Sequence, residues 1–275
     1  MSEHAAEKLL RYDDIATSLI VDTLMGFKRR KLSTLDLPPI TENEENTIKK
    51  ILESVKSKQD VARAIGQLLD CEWAKEVTAG MELGKEEKME LKDHLKKYIL
   101  GLTSDREFAL VKTERYEMEG YQGAKILAKR EVKKGEKIVS LLGKTAAITE
   151  EQEKSLGERG VDTSCIMKTP TKSILIINGA VCFVNHDCAP NCEFVRLPNK
   201  EICFEAKRNI KTDEELTIDY GVGYFGRNQK NCQCPTCEAG QKGAFRKRKQ
   251  GERNDRDLFT PEEENKIVKV RQSVF

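Results

Sequence analysis

Apolar residues recur at helical spacing through the first hundred positions. In TENEENTIKKILESV, Ile48, Ile51, Leu52 and Val55 fall on one face, and Thr41 precedes Glu44 by three, the spacing of a capping box. DVARAIGQLL repeats the stripe with Val61, Ile65, Leu68 and Leu69, and LKDHLKKYILGL with Leu91, Leu95, Tyr98 and Leu102. These stripes predict helices packed on one another rather than a cofactor box. Near Asp105 the texture changes. From Phe108 to Tyr220 the runs FALV, KIVSLLG, SILII, AVCFV, EICFEA and ELTIDY are short and mostly β-branched or aromatic. Gly, Pro, Asn and Asp separate them, so they predict a β-rich domain of short strands. Beyond Gly226 the chain becomes cysteine-rich, then basic and polar. One segment returns: AKREVKKGEKI (128–138) reappears as AKRNIKTDEEL (206–216), with Glu136 matching Glu214 and Ile138 matching Leu216. Two strand–turn–strand units 78 positions apart predict related hairpins in one domain, and the repeat is too short for a solenoid.

Composition narrows this picture. The chain has 275 residues, 38% hydrophobic and 34% charged, enough to bury a sizeable core in one or two domains. A net charge of only +2 gives no global pull toward nucleic acid. The longest apolar run, SILIINGAVCFV, is too short to span a bilayer, so no membrane role is expected. MSEHAAEKLLRYDD lacks the basic-then-apolar layout of a signal peptide. An intracellular chain follows as the expectation, with its nine cysteines reduced, metal-bound or catalytic.

The cysteines carry the chemistry. NCQCPTC places Cys232, Cys234 and Cys237 within six residues, dense enough for three corners of a tetrahedral zinc site. The fourth ligand has to come from elsewhere, and FVNHDCAPNC offers Cys188, Cys192 and His186. Cys71, Cys165, Cys182 and Cys203 sit in apolar runs and read as small core residues. Nothing supports His186 as the base of a nucleophile: the chain has no Gly-x-Ser-x-Gly elbow.

FVNHDCAPNC, followed some thirty residues later by EELTIDYG and then by Cys-x-Cys-x-x-Cys, resembles the SET domain of protein-lysine methyltransferases. The echoed KKGEKI and KTDEEL turns match the paired hairpins of that fold. ATSLIVDTLMGFKRRKL, GAKILAKREVKKGEKI, DTSCIMKTPTK and DYGVGYFGRNQKNCQCPTCEAGQKGAF are similar, more narrowly, to the suppressor-of-variegation 4-20 family of histone H4 lysine-20 methyltransferases.

The resemblance implies an α+β fold: a helical domain over 1–103, a β-rich SET catalytic domain over 104–226 with a threaded pseudoknot, a zinc-binding post-SET segment over 227–245, and a basic, polar tail over 246–275. It implies S-adenosylmethionine as methyl donor, bound by the side chain of Asn185 and the backbone of His186, with Arg29, Val139, Ser140, Leu141, Leu142 and Ala146 alongside. The family carries Glu where Val139 stands and Thr-His where Arg29 and Arg30 stand. Cys188 joins Cys232, Cys234 and Cys237 on one structural zinc, which leaves Cys192 over. Tyr220, read alone as a core tyrosine, becomes the catalytic hydroxyl. Tyr224 and Phe225 wall the lysine channel. Ser164 lines the pocket beside an already methylated amine, or else bonds its own backbone.

The implied reaction converts monomethylated lysine-20 of histone H4 to the dimethyl or trimethyl form in chromatin silencing, in the nucleus. Nucleosomes carrying the H4 tail are then the substrate, and a chromatin-targeting protein is a further partner. The RKRK run (246–249) reads as a nuclear-import or DNA-phosphate patch, or as a solvated face. A SET enzyme for another lysine, and a zinc-bearing chromatin module without catalysis, are the competing readings; the intact Asn185, His186 and Tyr220 favour an enzyme.

Overall fold

The computed structural model describes residues 2–27, 31–102, 107–115, 123–158, 166–168, 173–221 and 224–246. Arg29, Ser164, Cys165 and most of the basic tail fall outside these residues. Helix α1 (Ser2–Ala16) runs through a π-helical stretch, Thr17–Asp22, into the single turn α2 (Thr23–Met25). Leu19, Ile20 and Val21 of that stretch are fully buried, and the polar Thr17 and Ser18 are buried with them. Four helices follow: α3 (Glu42–Glu53), α4 (Lys58–Asp70), α5 (Glu72–Gly80) and α6 (Lys85–Leu102). The Thr41 side chain accepts the Glu44 N–H and the Glu44 carboxylate accepts the Thr41 N–H, so the predicted capping box forms. Glu44 also reaches the N-terminus of α5, accepting the Trp73 N–H at 2.7 Å.

The strands are β1 (Phe108–Thr113), β2 (Gly123–Ala128), β3 (Lys137–Ile148), β4 (Ile166–Lys168), β5 (Ile174–Gly179), β6 (Asn185–His186), β7 (Cys192–Arg196), β8 (Glu201–Ala206) and β9 (Thr217–Ile218). Helix α7 (Glu150–Glu158) follows β3, and α8 (Pro235–Ala239) lies in the cysteine segment. A five-stranded sheet has the order β4-β5-β3-β8-β7, and β1 pairs antiparallel with β2. The third pairing is parallel: β6 lies beside β9, Asn185 opposite Thr217 and His186 opposite Ile218. No helix among the described residues is long and apolar enough to cross a membrane.

One expected strand is absent. AVCFV forms a 3-10 turn, Ala180–Phe183, instead of extending β5. Gly179 causes the break. Its φ of +122° is open to glycine, and a Cβ there would stand 2.7 Å from the Leu142 carbonyl oxygen. The run is buried on nearly every side, and a short buried apolar run looks the same whether it is strand or helix.

The repeated segments pair with each other about a local twofold axis. Val132 and Ile210 exchange both backbone hydrogen bonds, at 3.0 and 2.9 Å. Ala128 N–H donates to Glu214 and Ala206 N–H to Glu136, again as equivalents. Each turn is closed by its glutamate, which accepts the Lys133 or Lys211 N–H and pairs with Arg130 or Arg208. The echo in the sequence is therefore an echo in space.

The main core does not stop at residue 103. Tyr12, Ile15 and Leu19 of the N-terminal helices, Leu95 and Tyr98 of α6, and Leu141, Val184 and Ile218 of the β region belong to one buried cluster. Asp13, with no exposed surface, stands at the junction. It accepts hydrogen bonds from Tyr98 Oη (2.6 Å) and the Gly179 N–H (3.1 Å), and lies 3.1 Å from His94 Nε2.

Candidate active site and metal centre

The site forms where β6 and β9 meet, and Asn191 holds them there. Its amide oxygen accepts the Thr217 N–H (2.8 Å), and its Nδ2 donates to the Glu215 carbonyl (2.8 Å) and the Glu214 carboxylate (3.2 Å). Asn185 donates its Nδ2 hydrogens to the Ala124 carbonyl and Glu215 Oε1, both at 3.0 Å. That fixes its amide oxygen as the side that presents an acceptor.

Tyr220 follows directly after β9. Its hydroxyl donates to the Val184 carbonyl (3.0 Å) and its N–H donates to His186 Nδ1 (3.1 Å). Tyr224 stands edge-on to Tyr220 at 4.8 Å, and Phe225 is parallel to the Tyr220 ring at 6.2 Å. Phe225 also lies 4.9 Å from the His186 ring. The predicted aromatic residues are thus gathered around the rings of Tyr220 and His186. Burial pushes the imidazole of His186 below its usual pKa, against the pull of Asp219 and Asp187.

The predicted cysteines converge on the other side of His186. Cys188 Sγ lies 3.9 Å from Cys232 Sγ and 3.5 Å from Cys237 Sγ. Cys234 Sγ accepts the N–H groups of Cys188 and Cys237, both at 3.4 Å. Burial raises the Cys234 thiol, but those N–H groups outweigh it and bring the pKa below the ordinary value. Burial pushes Cys188 up to about 12. Four sulfurs at the corners of a tetrahedron with 2.3 Å metal bonds stand about 3.8 Å apart, close to the Cys188 distances, and Cys188, Cys232 and Cys234 with His186 form a group that could hold a metal ion. Cys192 is elsewhere, buried in β7 opposite Ala206, its thiol pushed up to about 12 by burial.

Two features hold the cysteine segment that the sequence did not advertise. Asp187 accepts the Thr236 hydroxyl at 2.5 Å, and Arg115, beyond β1, donates to the Gln233 carbonyl and Glu238, both at 2.9 Å. Asp187 and Thr236 are 49 residues apart, too far for any local motif to link them. Gly243 had a visible signal in KGAF: its φ is +56°, and a Cβ would sit 2.3 Å from the Cys232 carbonyl oxygen.

The remaining predicted residues are more scattered. Ser140 donates to Glu107 at 2.6 Å, Leu141 is fully buried, Leu142 is half-buried and Val139 is 59% exposed. Ala146 belongs to a smaller cluster with Leu9, Leu10 and Ile176. Cys203 is buried, while Cys71 and Cys182 are half-buried.

Comparison with known proteins gives the family of this fold. Residues 123–221 match the SET domain family. The chain is 29% identical over 239 residues to the histone-lysine N-methyltransferase Suv4-20 of Caenorhabditis elegans, covering 86% of this chain and 82% of that protein. It is 32% identical over 228 residues to the histone-lysine N-methyltransferase SET9 of Gibberella zeae, and 31% identical over 255 residues to the set9 protein of Aspergillus oryzae. Those alignments cover 82% and 92% of this chain but only 34% and 40% of the fungal proteins.

Proposed function

From the SET domain that the chain carries across residues 123–221, we propose that it is a histone-lysine N-methyltransferase acting on lysine-20 of histone H4 in nucleosomes. Residues 1–103 form its helical domain, 104–226 its catalytic domain and 227–245 its zinc-binding segment, and it works in the nucleus. The observation that carries the reading is the gathering of Tyr220, Tyr224 and Phe225 around His186 where β6 and β9 pair. Likeness to the nematode Suv4-20 protein over most of both chains supports the choice of lysine.

S-adenosylmethionine, once bound, supplies a methyl group on a sulfonium, which an amine takes by direct displacement. The chain's own groups have three tasks. Asn185 presents an amide oxygen, the polarity that the donor's ammonium group needs. Tyr220 commits its proton to the Val184 carbonyl, so its oxygen is offered as an acceptor that orients the lysine nitrogen. The aromatic walls keep water from the amine, and a dry site disfavours the ammonium form of a group with pKa near 10.4. Aromatic faces also suit a methylated cation, in keeping with a monomethyl-lysine substrate. Cys188, Cys232, Cys234 and Cys237 would hold one zinc, tying the C-terminal segment to β6.

Methyl transfer to nucleosomes and to free histones, with mass spectrometry locating the methyl groups, tests this. Tyr220→Phe is expected to lower turnover roughly 100-fold, with S-adenosylmethionine affinity nearly unchanged by calorimetry. Methylation elsewhere than lysine-20 would keep the enzyme and replace its substrate. An inactive protein that binds nucleosomes would mean a chromatin module instead.

A further inference from the structure

His186 touches both halves of the site, and the two contacts define its proton. Nδ1 accepts the Tyr220 N–H at 3.1 Å. A ring nitrogen accepting a hydrogen bond carries no proton, so in the neutral ring the proton sits on Nε2. Asp219, the carboxylate that faces Nδ1, is farther away at 3.6 Å and 60% exposed, and the Ile218 carbonyl also draws on the ring, but the hydrogen bond that Nδ1 makes is the one from the Tyr220 N–H. Nε2 points at Cys188 Sγ, 3.4 Å away. A protonated Nε2 has no lone pair for a metal. His186 therefore donates to the sulfur and stays out of the ligand set, although its nitrogen lies within 4.8 Å of the sulfurs of Cys188, Cys232 and Cys234.

We propose that His186 is a positioning residue that couples the four-sulfur site to Tyr220. With metal bound, Cys188 is a thiolate, a stronger acceptor than a thiol, and the Nε2–H bond to it sets the angle of the imidazole. The ring is buried and packs on Phe225 and Tyr220 at 4.9 and 5.6 Å, so it transmits that angle to the Tyr220 backbone. The contact to sulfur stands on geometry alone; what it does for catalysis rests on the methyltransferase reading.

Two substitutions separate the contacts in the full chain loaded with zinc. His186→Asn keeps an acceptor near the Nδ1 position but cannot reach the sulfur. His186→Gln puts an amide N–H near the Nε2 position and lacks the acceptor. Zinc release to a coloured chelator is expected to be about tenfold faster in His186→Asn, the size seen when a hydrogen bond to a metal ligand is lost, and close to the parent rate in His186→Gln. X-ray absorption is expected to count four sulfurs around zinc in all three proteins. If His186→Asn folds poorly, His186→Phe, which keeps the ring packing, is expected to show the same fast release. Equal release in parent, Asn and Phe variants overturns the proposal, as does a nitrogen in the parent's zinc shell or a parent that binds no zinc. A parent that shows this order of release yet transfers no methyl group sinks the enzyme reading and leaves the contact standing.

Discussion

Cys188 and Cys192 stand four residues apart, and among the described residues only Cys188 has sulfur neighbours. Cys188 faces Cys232 and Cys237, whereas Cys192 is 1% exposed inside β7. Metal analysis after desalting is expected to find about one zinc per chain in the parent and in Cys192→Ser, and none in Cys188→Ser. Cys192→Ser is expected to show its cost in melting temperature instead, because it moves a hydroxyl into a buried apolar position, at a cost of roughly 1 kcal/mol or more. The knuckle Cys232–Cys237 was legible in the sequence because its ligands are close together. Its distant partner, Cys188, came only from the family resemblance, since β6–β9 pairing decides which of Cys188, Cys192 and His186 reaches the cluster, and spacing carries no trace of that pairing. Asn191 was passed over for the same reason: its partners Glu215 and Thr217 are defined only after the strands meet.

Among the elements, the mutually paired turns give the clearest dependence on acid. Arg130 holds the Glu136 carboxyl below the usual carboxylate range. Burial raises Glu214, but Arg208, the Lys211 N–H and Asn191 outweigh it and also leave it low. Both folded pKa values lie below the unfolded value of about 4.3, so their stabilisation is complete above that pH. It is lost as pH falls through the folded values. Melting temperature is expected to drop below about pH 4. Glu136→Gln with Glu214→Gln is expected to lower it at pH 7 and flatten the acid limb, each pair contributing at the upper end of roughly 0–1 kcal/mol. An unchanged acid limb in the double variant would move the acid sensitivity to other carboxylates. Helix α3 and the paired turns could be read in advance because a capping box and a repeat are local patterns. The 3-10 turn at Ala180–Phe183 could not, since it depends on the crowding of Gly179 against Leu142.

At the scale of the whole molecule, the helices and sheets share one core, and Asp13 is its polar junction. Asp13→Ala would take the buried acceptor away from the Tyr98 hydroxyl and the Gly179 N–H, a loss of about 3 kcal/mol or more. Asp13→Asn, which keeps an acceptor, is expected to be milder. Urea unfolding followed by Trp73 fluorescence for the helices and by circular dichroism for the sheets is expected to give coincident transitions. Separate transitions would mean that the two halves fold independently. The parallel pairing of β6 with β9 has a consequence for a chain made from its N-terminus. When Asn185 and His186 leave the ribosome, Thr217 and Ile218 are still inside it, and Cys237 follows later still. The nascent protein can bury its N-terminal helices and lay down β1 to β5 while the proposed active site is still incomplete. The proposed methyl-donor and metal sites thus wait for the segment that carries Cys237 to emerge, and a ribosome stalled before Cys237 would display a compact but inert chain.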